Sequence, residues 1–325
     1  MNGMLTSWEG LCKGSTVLRF VDLNLRGIGQ VMFQDNPLSG LLFFVAIGWG
    51  SVEAGMPQVA IGGLAAVIAA TLTAQWLRVD AAALGAGLYG YNAYLVGLAF
   101  GTFLAVSPMW WLYVVLGGAV SVPVTLGIAN VFRQWGVAAL TAPFVLTAWL
   151  FLLATYAFSA IEGSALPMAA TVTPIDPAAA DPLAFGDFVG GILKSITQVF
   201  LKASFIAALL LLAGLAVNSI AAAAFAVGGA IVAVGTAHVL GAESDLITGG
   251  LMGFSPVLTA IALGAVFYKP GVRVALYALV ATVFTVIVQG ALNVVVAPFG
   301  IPTLTAPFVL ASWFFLLPRQ HFEQR

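Results

Sequence analysis

A seven-residue phrase occurs twice in the chain, and it constrains the fold more than any other feature. Residues 140–146 read Leu-Thr-Ala-Pro-Phe-Val-Leu, and the same letters return at 304–310. Over 140–153 and 304–317 the two copies agree at 11 of 14 positions, at a constant offset of 164. A long repeat at a fixed offset indicates a duplicated structural unit. We therefore predict that the chain folds as two related halves.

Each copy of the phrase carries a proline within an apolar segment. A proline inside a helix removes one backbone donor and frees the carbonyl four residues earlier. For Pro143 and Pro307 these would be the carbonyls of Ala139 and Thr303. Hydrocarbon tolerates a freed carbonyl only where protein or a water-lined cavity satisfies it. The repeated phrase is therefore predicted to face inward, toward a path.

The composition identifies the class of protein. Of the 325 residues, 62% are hydrophobic and 7% are charged, and the mean hydropathy is +1.08. Soluble domains average about 25% charged residues, so we predict an integral membrane protein. The single Cys12 excludes internal disulfides, His238 and His321 have no metal-ligand spacing, and a net charge of −1 does not indicate nucleic-acid binding. We expect neither a metal nor a cofactor.

The apolar segments predict an all-α polytopic membrane protein with ten transmembrane helices and two re-entrant half-helices. Residues 1–26 are mixed and polar and suit an interfacial segment. The first repeat, 27–158, is expected to open with a half-helix at 27–37, ended by Asn36-Pro37. Its five spans are expected at roughly 38–56, 57–77, 82–105, 109–131 and 136–158.

The second half repeats this plan after a break in the pattern. Residues 159–190 contain four prolines and several acidic residues, and they are predicted to form an external linker. The second repeat, 191–318, is expected to have a half-helix ending at Leu201 and spans at roughly 202–218, 219–241, 245–268, 272–295 and 303–318, before a C-terminal tail at 319–325.

An odd number of spans in each half requires the second half to enter the membrane from the opposite face. With the N-terminus inside, nine of the eleven basic residues fall on the inner side, and only Lys194 and Lys202 lie outside. This bias is the positive-inside pattern of membrane proteins. Both termini are therefore predicted to be cytoplasmic. Inverted repeats of this kind place a substrate site near the membrane midplane, at the repeat interface.

Paired polar residues converge on that predicted interface. Thr141 and Thr305 bring hydroxyl groups, although a membrane threonine also commonly bonds its own helix or a neighbouring helix. Gln30 and Gln198 bring amides at matching places in the two half-helices, where local capping is the alternative interpretation. Both pairs are candidates for contact with a solute.

Paired apolar residues accompany them. Tyr91 with Leu95, and Phe254 with Leu258, each place an aromatic ring and a leucine four residues apart, on one face of a helix. The middles of the second to fifth spans of each half carry no Asp, Glu, Lys or Arg. Ionisable residues within a membrane mark proton relays and ion pathways, so their absence favours passive movement of a small neutral solute. It argues against a pump, a proton-coupled carrier and a cation channel. The sequence also offers no nucleophile–base pair or metal cluster, which argues against an intramembrane enzyme.

At these residues the sequence resembles the urea transporter family. The resemblance rests on Gln-Val-x-Phe-x-x-Asn-Pro-x-Ser-Gly at 30–40, Gly-Tyr-Asn-Ala-x-Leu-Val-Gly at 90–97 and the two Leu-Thr-Ala-Pro-Phe phrases. It implies a homotrimer in which each protomer has its own pore. It also implies channel-like facilitated diffusion of urea, without ion coupling or cofactor.

The resemblance also implies roles for individual residues. Gln30 and Gln198 would be polar contacts at the two ends of a narrow filter, with Thr141 and Thr305 at its centre. Its apolar walls would be formed by Phe33, Tyr91, Leu95, Val199, Phe205, Phe254 and Leu258. Two departures from the family pattern concern these walls. Tyr91 stands where phenylalanine is expected, so its hydroxyl must find a partner, and the second half lacks the Asn-Pro that would align Phe205.

Two alternatives remain open at this stage. One is a channel for ammonia or another small neutral amide on the same scaffold, and the other is a membrane protein without transport, such as a sensor or an assembly scaffold. For the location we expect the inner membrane of a bacterium, because the chain is compact and carries no long tails.

Overall fold

The computed structural model describes residues 2–321. Within that range every regular element is a helix, and extended backbone pairs only at an isolated bridge between Leu104 and Gly163. The first half contains α1 (Asn2–Gly14), α2 (Thr16–Gly29), α3 (Pro37–Glu53), α4 (Gln58–Trp76), α5 (Ala81–Gly85), α6 (Tyr91–Phe103), α7 (Pro108–Arg133) and α8 (Ala142–Ala154).

The second half follows with a corresponding series of seven helices. It contains α9 (Phe185–Thr197), α10 (Phe205–Asn218), α11 (Ile220–Val239), α12 (Ser244–Thr248), α13 (Phe254–Ile261), α14 (Val272–Val296) and α15 (Ala306–Leu316). A 3₁₀ turn extends α2 over Gln30–Met32 and α9 over Gln198–Phe200, and a π-helical turn extends α13 over Ala262–Val266. The seven helices α2–α8 thus match α9–α15 in order.

Two helix pairs bend sharply at corresponding places. The axis turns by 75° between α2 and α3, and by 71° between α9 and α10. Asn36 begins α3 because its side chain accepts from the backbone N–H groups of Leu38 and Ser39, and Ser204 begins α10 by accepting from Ala207. The helices before these bends start at Thr16 and Phe185, so the expected boundaries after residues 26 and 190 fall inside helices.

The described helices include fewer full-length spans than the ten expected. Four helices are long and apolar enough to cross a membrane, or up to six if each bent pair is one span. The expected spans 82–105 and 245–268 each divide into a five-residue helix, an irregular turn and a second helix. In both turns a glycine adopts a positive φ of 76°, at Gly87 and Gly250, which ends the preceding helix.

The prolines of the repeated phrase do not interrupt a helix. Pro143 and Pro307 lie in the first turn of α8 and α15, where a missing N–H costs no hydrogen bond. The carbonyls of Ala139 and Thr303 accept from the N–H groups of Ala142 and Ala306, each at 3.2 Å. The prediction that these carbonyls are freed is therefore wrong. The irregular backbone is the loop that precedes each short helix.

The two halves pack together along α3 and α10. Ser39 donates its hydroxyl to the carbonyl of Gly214 at 2.7 Å, and Asn218 donates to the side chain of Gln34 at 3.0 Å. Within the first half, Gly40 of α3 lies directly against the backbone of α2 at Leu25.

The segment between the halves is attached to both of them. Residue Gly163 pairs with Leu104 at the end of α6, and Ala170 donates to the carbonyl of Ala297 at 3.0 Å. Asp181 accepts a hydrogen bond of 2.9 Å from the side chain of Ser244.

Candidate functional site

The two threonines of the repeated phrase meet where the halves join. Their side-chain oxygens are 2.6 Å apart, although 164 positions separate Thr141 from Thr305 in the sequence. Each residue is 3% exposed. A hydroxyl has one donor and two acceptor lone pairs, so a bonded pair of hydroxyls keeps one hydrogen and further lone pairs for another molecule. The pair is the polar centre of the candidate site.

The backbone before each threonine has an unusual and repeated conformation. Leu140 and Leu304 have positive φ values of 52° and 50°, in the left-handed region. Leucine rarely adopts this conformation because its Cβ then crowds the following carbonyl. Strain of this kind persists where the surrounding structure enforces it, and it concentrates at functional sites. Each strained residue turns the chain so that the next one, Thr141 or Thr305, begins a helix.

Tryptophans from the two phrases bond across the halves in a reciprocal way. Trp149 of α8 donates its indole N–H to the carbonyl of Pro302 at 2.8 Å, and Trp313 of α15 donates to the carbonyl of Ala138 at 3.0 Å. The two acceptors are themselves 164 positions apart. Each phrase therefore fixes the loop that leads into the other phrase.

Changing Trp149 to phenylalanine is expected to lower the free energy of unfolding by about 1–3 kcal/mol, and with it the melting temperature of the protein in detergent. The substitution keeps an aromatic ring but leaves the carbonyl of Pro302 without its donor. Trp313→Phe should cost less, because its bond is solvent-exposed and water can replace the indole. Trp111→Phe is the matched control, since that tryptophan is 46% exposed. Equal melting temperatures for Trp149→Phe and Trp111→Phe would contradict the prediction.

The two glutamines occupy corresponding positions and make corresponding bonds. Gln30 donates its side-chain amide to the carbonyl of Ala86 at 2.8 Å, and Gln198 donates to the carbonyl of Gly249 at 3.1 Å. Both acceptors lie in the irregular turn before α6 or α13. Among the described residues, neither amide oxygen has a hydrogen-bond partner, so each remains available as an acceptor. The glutamines thus combine the local bonding role with a free acceptor.

Most of the apolar candidates lie in one buried cluster that both halves contribute to. Its members include Leu95, Val199, Phe254 and Leu258, and the rings of Phe33 and Tyr91 pack against it. The ring of Phe33 also meets Phe308 of the second phrase, with centroids 6.2 Å apart in an edge-to-face arrangement. The structure thus brings together residues that are distant in the sequence.

Phe205 lies apart from this cluster. Its side chain is 59% exposed at the first position of α10, just after the residue that caps the helix. The second-half counterpart of Phe33 is Leu201, because each follows the 3₁₀ turn that begins at a site glutamine and each has a positive φ, 62° and 58° respectively. The second half has no Asn-Pro to mark its bend, so the sequence alone did not align Leu201 with Phe33.

Asn92 belongs to the site, and the sequence analysis did not select it. Its side-chain oxygen accepts from the backbone N–H of Phe144 at 3.1 Å, which caps the start of α8. Its amide contacts the hydroxyl of Thr125 at 3.4 Å. An asparagine in an apolar segment must find partners, and that requirement is the signal that would have identified it.

Tyr91 places its hydroxyl beside the centre of the site. The group donates to the carbonyl of Leu140 at 2.7 Å, immediately before Thr141. The extra hydroxyl that distinguishes Tyr91 from phenylalanine therefore has a partner.

None of the candidate site residues has a charged side chain. The ion pairs that the structure shows within residues 2–321 all involve Arg26, which contacts Glu9, Asp22 and Asp35. In the same range, His, Cys, Asp and Glu form no group of three that could hold a metal ion. Hydroxyls, amides and carbonyls are the groups that this site offers.

Comparison with known proteins identifies the family. The family model described as "Urea transporter" matches residues 21–320. The chain belongs to the urea transporter family. It is 32% identical over 324 residues to Urea transporter 1 of Ovis aries, with 92% of this chain and 77% of that protein covered. It is 30% identical over 313 residues to Urea transporter 1 of Rattus norvegicus, with 93% and 77% covered.

The resemblance read from the motifs is thereby confirmed. The urea transporter family consists of transporters rather than enzymes, and its members are multi-pass membrane proteins, in agreement with the apolar helices described above. Both relatives are mammalian, so the expected bacterial inner membrane stays a prediction.

Proposed function

We propose that this protein is a passive channel that carries urea across the membrane, through a narrow path between its two halves. The observation that carries the proposal is the pair of buried hydroxyls of Thr141 and Thr305, 2.6 Å apart where the halves meet. Membership of the urea transporter family supplies the solute.

The chemistry of the site suits urea. Urea is planar and neutral, with four N–H groups and one carbonyl. The glutamine amide oxygens and the threonine hydroxyls can accept its N–H groups, while the rings of Tyr91 and Phe254 cover its faces. Urea loses hydrogen bonds to water on entering the path and gains hydrogen bonds to the protein. The net free energy of each exchange is only about 1 kcal/mol. Such near-balance allows a solute both to enter and to leave.

The same path rejects ions. An ion without its water shell needs an opposite charge or many oriented dipoles, and the cost of an uncompensated charge far exceeds that of a neutral group. The centre of the site offers only neutral groups, the two hydroxyls and the backbone carbonyls beside them. Proton coupling would need a group such as a carboxyl or an imidazole within the path, and the site residues include no Asp, Glu, His, Lys or Arg.

The architecture we propose consists of two inverted repeats, each with five crossings and one re-entrant half-helix. The bends of 75° and 71° and the equal order of helices in the halves support it. The helices α8 and α15, together with the loops that precede them, would form the fifth crossing of each half and place Thr141 and Thr305 near the midplane. A homotrimer with one pore per protomer, in the inner membrane and with both termini in the cytoplasm, completes the proposal.

Purified protein in proteoliposomes should release urea rapidly, as followed by stopped-flow light scattering. The rate should not change when proton and sodium gradients are collapsed by ionophores, because nothing in the path couples to them. Liposomes without protein provide the baseline.

Three results would count against the proposal in different ways. Flux that disappears with the ion gradients would replace the channel by a coupled carrier. Rapid ammonia flux without urea flux would select the alternative solute. An absence of flux for both would support a protein without transport.

A further inference from the structure

The two halves differ at two adjacent positions beside the threonine pair, where the first half has Tyr91 and Asn92 and the second half has Phe254 and Ser255. Tyr91 and Phe254 are the first residues of α6 and α13, and each follows a glycine at the end of an irregular turn. The hydroxyl of Tyr91 donates to the carbonyl of Leu140 at 2.7 Å. Phe254 has no hydroxyl and cannot make the equivalent bond to Leu304.

This difference leaves the two carbonyls in unequal states. The carbonyl of Leu140 accepts from Tyr91, and the amide of Asn92 approaches it at 3.5 Å, so both of its lone pairs are engaged. The carbonyl of Leu304 accepts no hydrogen bond from any residue within 2–321. Leu304 is nevertheless 2% exposed. Buried carbonyls without a partner are uncommon, and each requires an explanation.

The backbone conformation at the two carbonyls is nearly the same. Leu140 and Leu304 share the same left-handed conformation, with φ values of 52° and 50°. Each immediately precedes one member of the threonine pair. A donor group bonded to both a threonine hydroxyl and the adjacent carbonyl would therefore find an open acceptor on the Leu304 side and an occupied one on the Leu140 side.

We propose that the hydroxyl of Tyr91 weakens urea binding on the Leu140 side of the threonine pair. Its hydroxyl occupies the carbonyl that would otherwise accept a urea N–H, whereas the Leu304 carbonyl stays open to that N–H. This inference rests on the proposed function. It adds that the two sides of the path bind urea with unequal affinity, and it names the hydroxyl that makes them unequal.

The test compares Tyr91→Phe with its mirror variant, Phe254→Tyr. Equilibrium binding of radiolabelled urea to purified protein gives the affinity, and flux from proteoliposomes gives the half-saturating concentration and the maximal rate. Tyr91→Phe frees the carbonyl of Leu140 as an acceptor. It should therefore lower the half-saturating concentration of urea by about fivefold, the equivalent of one net hydrogen bond. Phe254→Tyr should raise the half-saturating concentration by a similar factor, because the new hydroxyl would occupy the Leu304 carbonyl. The double variant should return close to the value of the unchanged protein.

The outcomes separate this inference from the function on which it rests. If the unchanged protein neither binds nor conducts urea, both fail. If it conducts, but Tyr91→Phe and Phe254→Tyr both stay within twofold of its half-saturating concentration, the inference alone is overturned. A purely structural role for Tyr91 would lower the melting temperature of Tyr91→Phe without opposite shifts in the mirror pair, and that result would also overturn it. Should Tyr91→Phe fail to fold, Phe254→Tyr decides, since a weakened affinity supports the inference and an unchanged one contradicts it.

Discussion

Replacing both Thr141 and Thr305 by valine is expected to lower urea flux at least tenfold. Valine has nearly the shape of threonine, so the substitution removes the hydroxyls and keeps the packing. A urea molecule at the centre of the path would then leave one or two N–H groups without acceptors, at about 1–3 kcal/mol for each. A barrier higher by about 1.4 kcal/mol slows passage tenfold, so the loss of both hydroxyls exceeds that factor.

The matched control is the double change to serine. Serine keeps each hydroxyl and removes only a methyl group, so flux should remain within a few-fold of that of the unchanged protein. Both double variants should be compared at equal amounts of folded protein, measured by size-exclusion chromatography. Flux that is equal for the valine and serine variants would assign the threonines a structural role and remove the main support for the proposed path.

Replacing Gly40 by alanine is expected to destabilise the protein by about 3 kcal/mol, the upper end of the cost of overpacking a tight contact. A Cβ at this position would overlap the backbone carbonyl of Leu25, so α2 would have to move away from α3. Because Gln30 directly follows the last residue of α2, that movement would also displace the glutamine from the carbonyl of Ala86. Both the melting temperature and urea flux should therefore fall.

Gly48 of the same helix offers the matched control. Nothing lies within 4 Å of a Cβ built there. Alanine is about 1 kcal/mol more favourable than glycine inside a helix, so Gly48→Ala should be neutral or stabilising. Similar melting temperatures for the two variants would show that α2 and α3 do not pack as closely as described.

The repeated phrase shows which structural features the sequence alone predicts and which it does not. Its fixed offset predicts that Thr141 and Thr305 are equivalent, and the order of the helices agrees. The residue types do not predict the left-handed conformation of Leu140 and Leu304, since leucine normally avoids it. That conformation moves each helix start to just after the threonine, so the proline lies in the first turn rather than in the helix interior.

The candidate site was predictable where it depended on matched residue types, and less so where it depended on backbone register. The glutamine pair was found because an amide in an apolar segment is conspicuous. Phe205 was misplaced because the second half lacks an Asn-Pro, so the bend could not be aligned with that of the first half. The partner of the Tyr91 hydroxyl is a backbone carbonyl, and residue types do not reveal backbone partners.

The reciprocal tryptophan bonds affect the rate at which urea could pass. Trp149 and Trp313 each secure the neighbouring half at the place where the solute would be held. A rocking movement of one half against the other would have to break both indole contacts and the hydroxyl contact between Thr141 and Thr305 in a single step. A cycle of that kind would be slow and strongly temperature-dependent. These bonds instead favour the channel that we propose, a rigid conduit in which the residence time of each urea at its few oxygens would set the turnover.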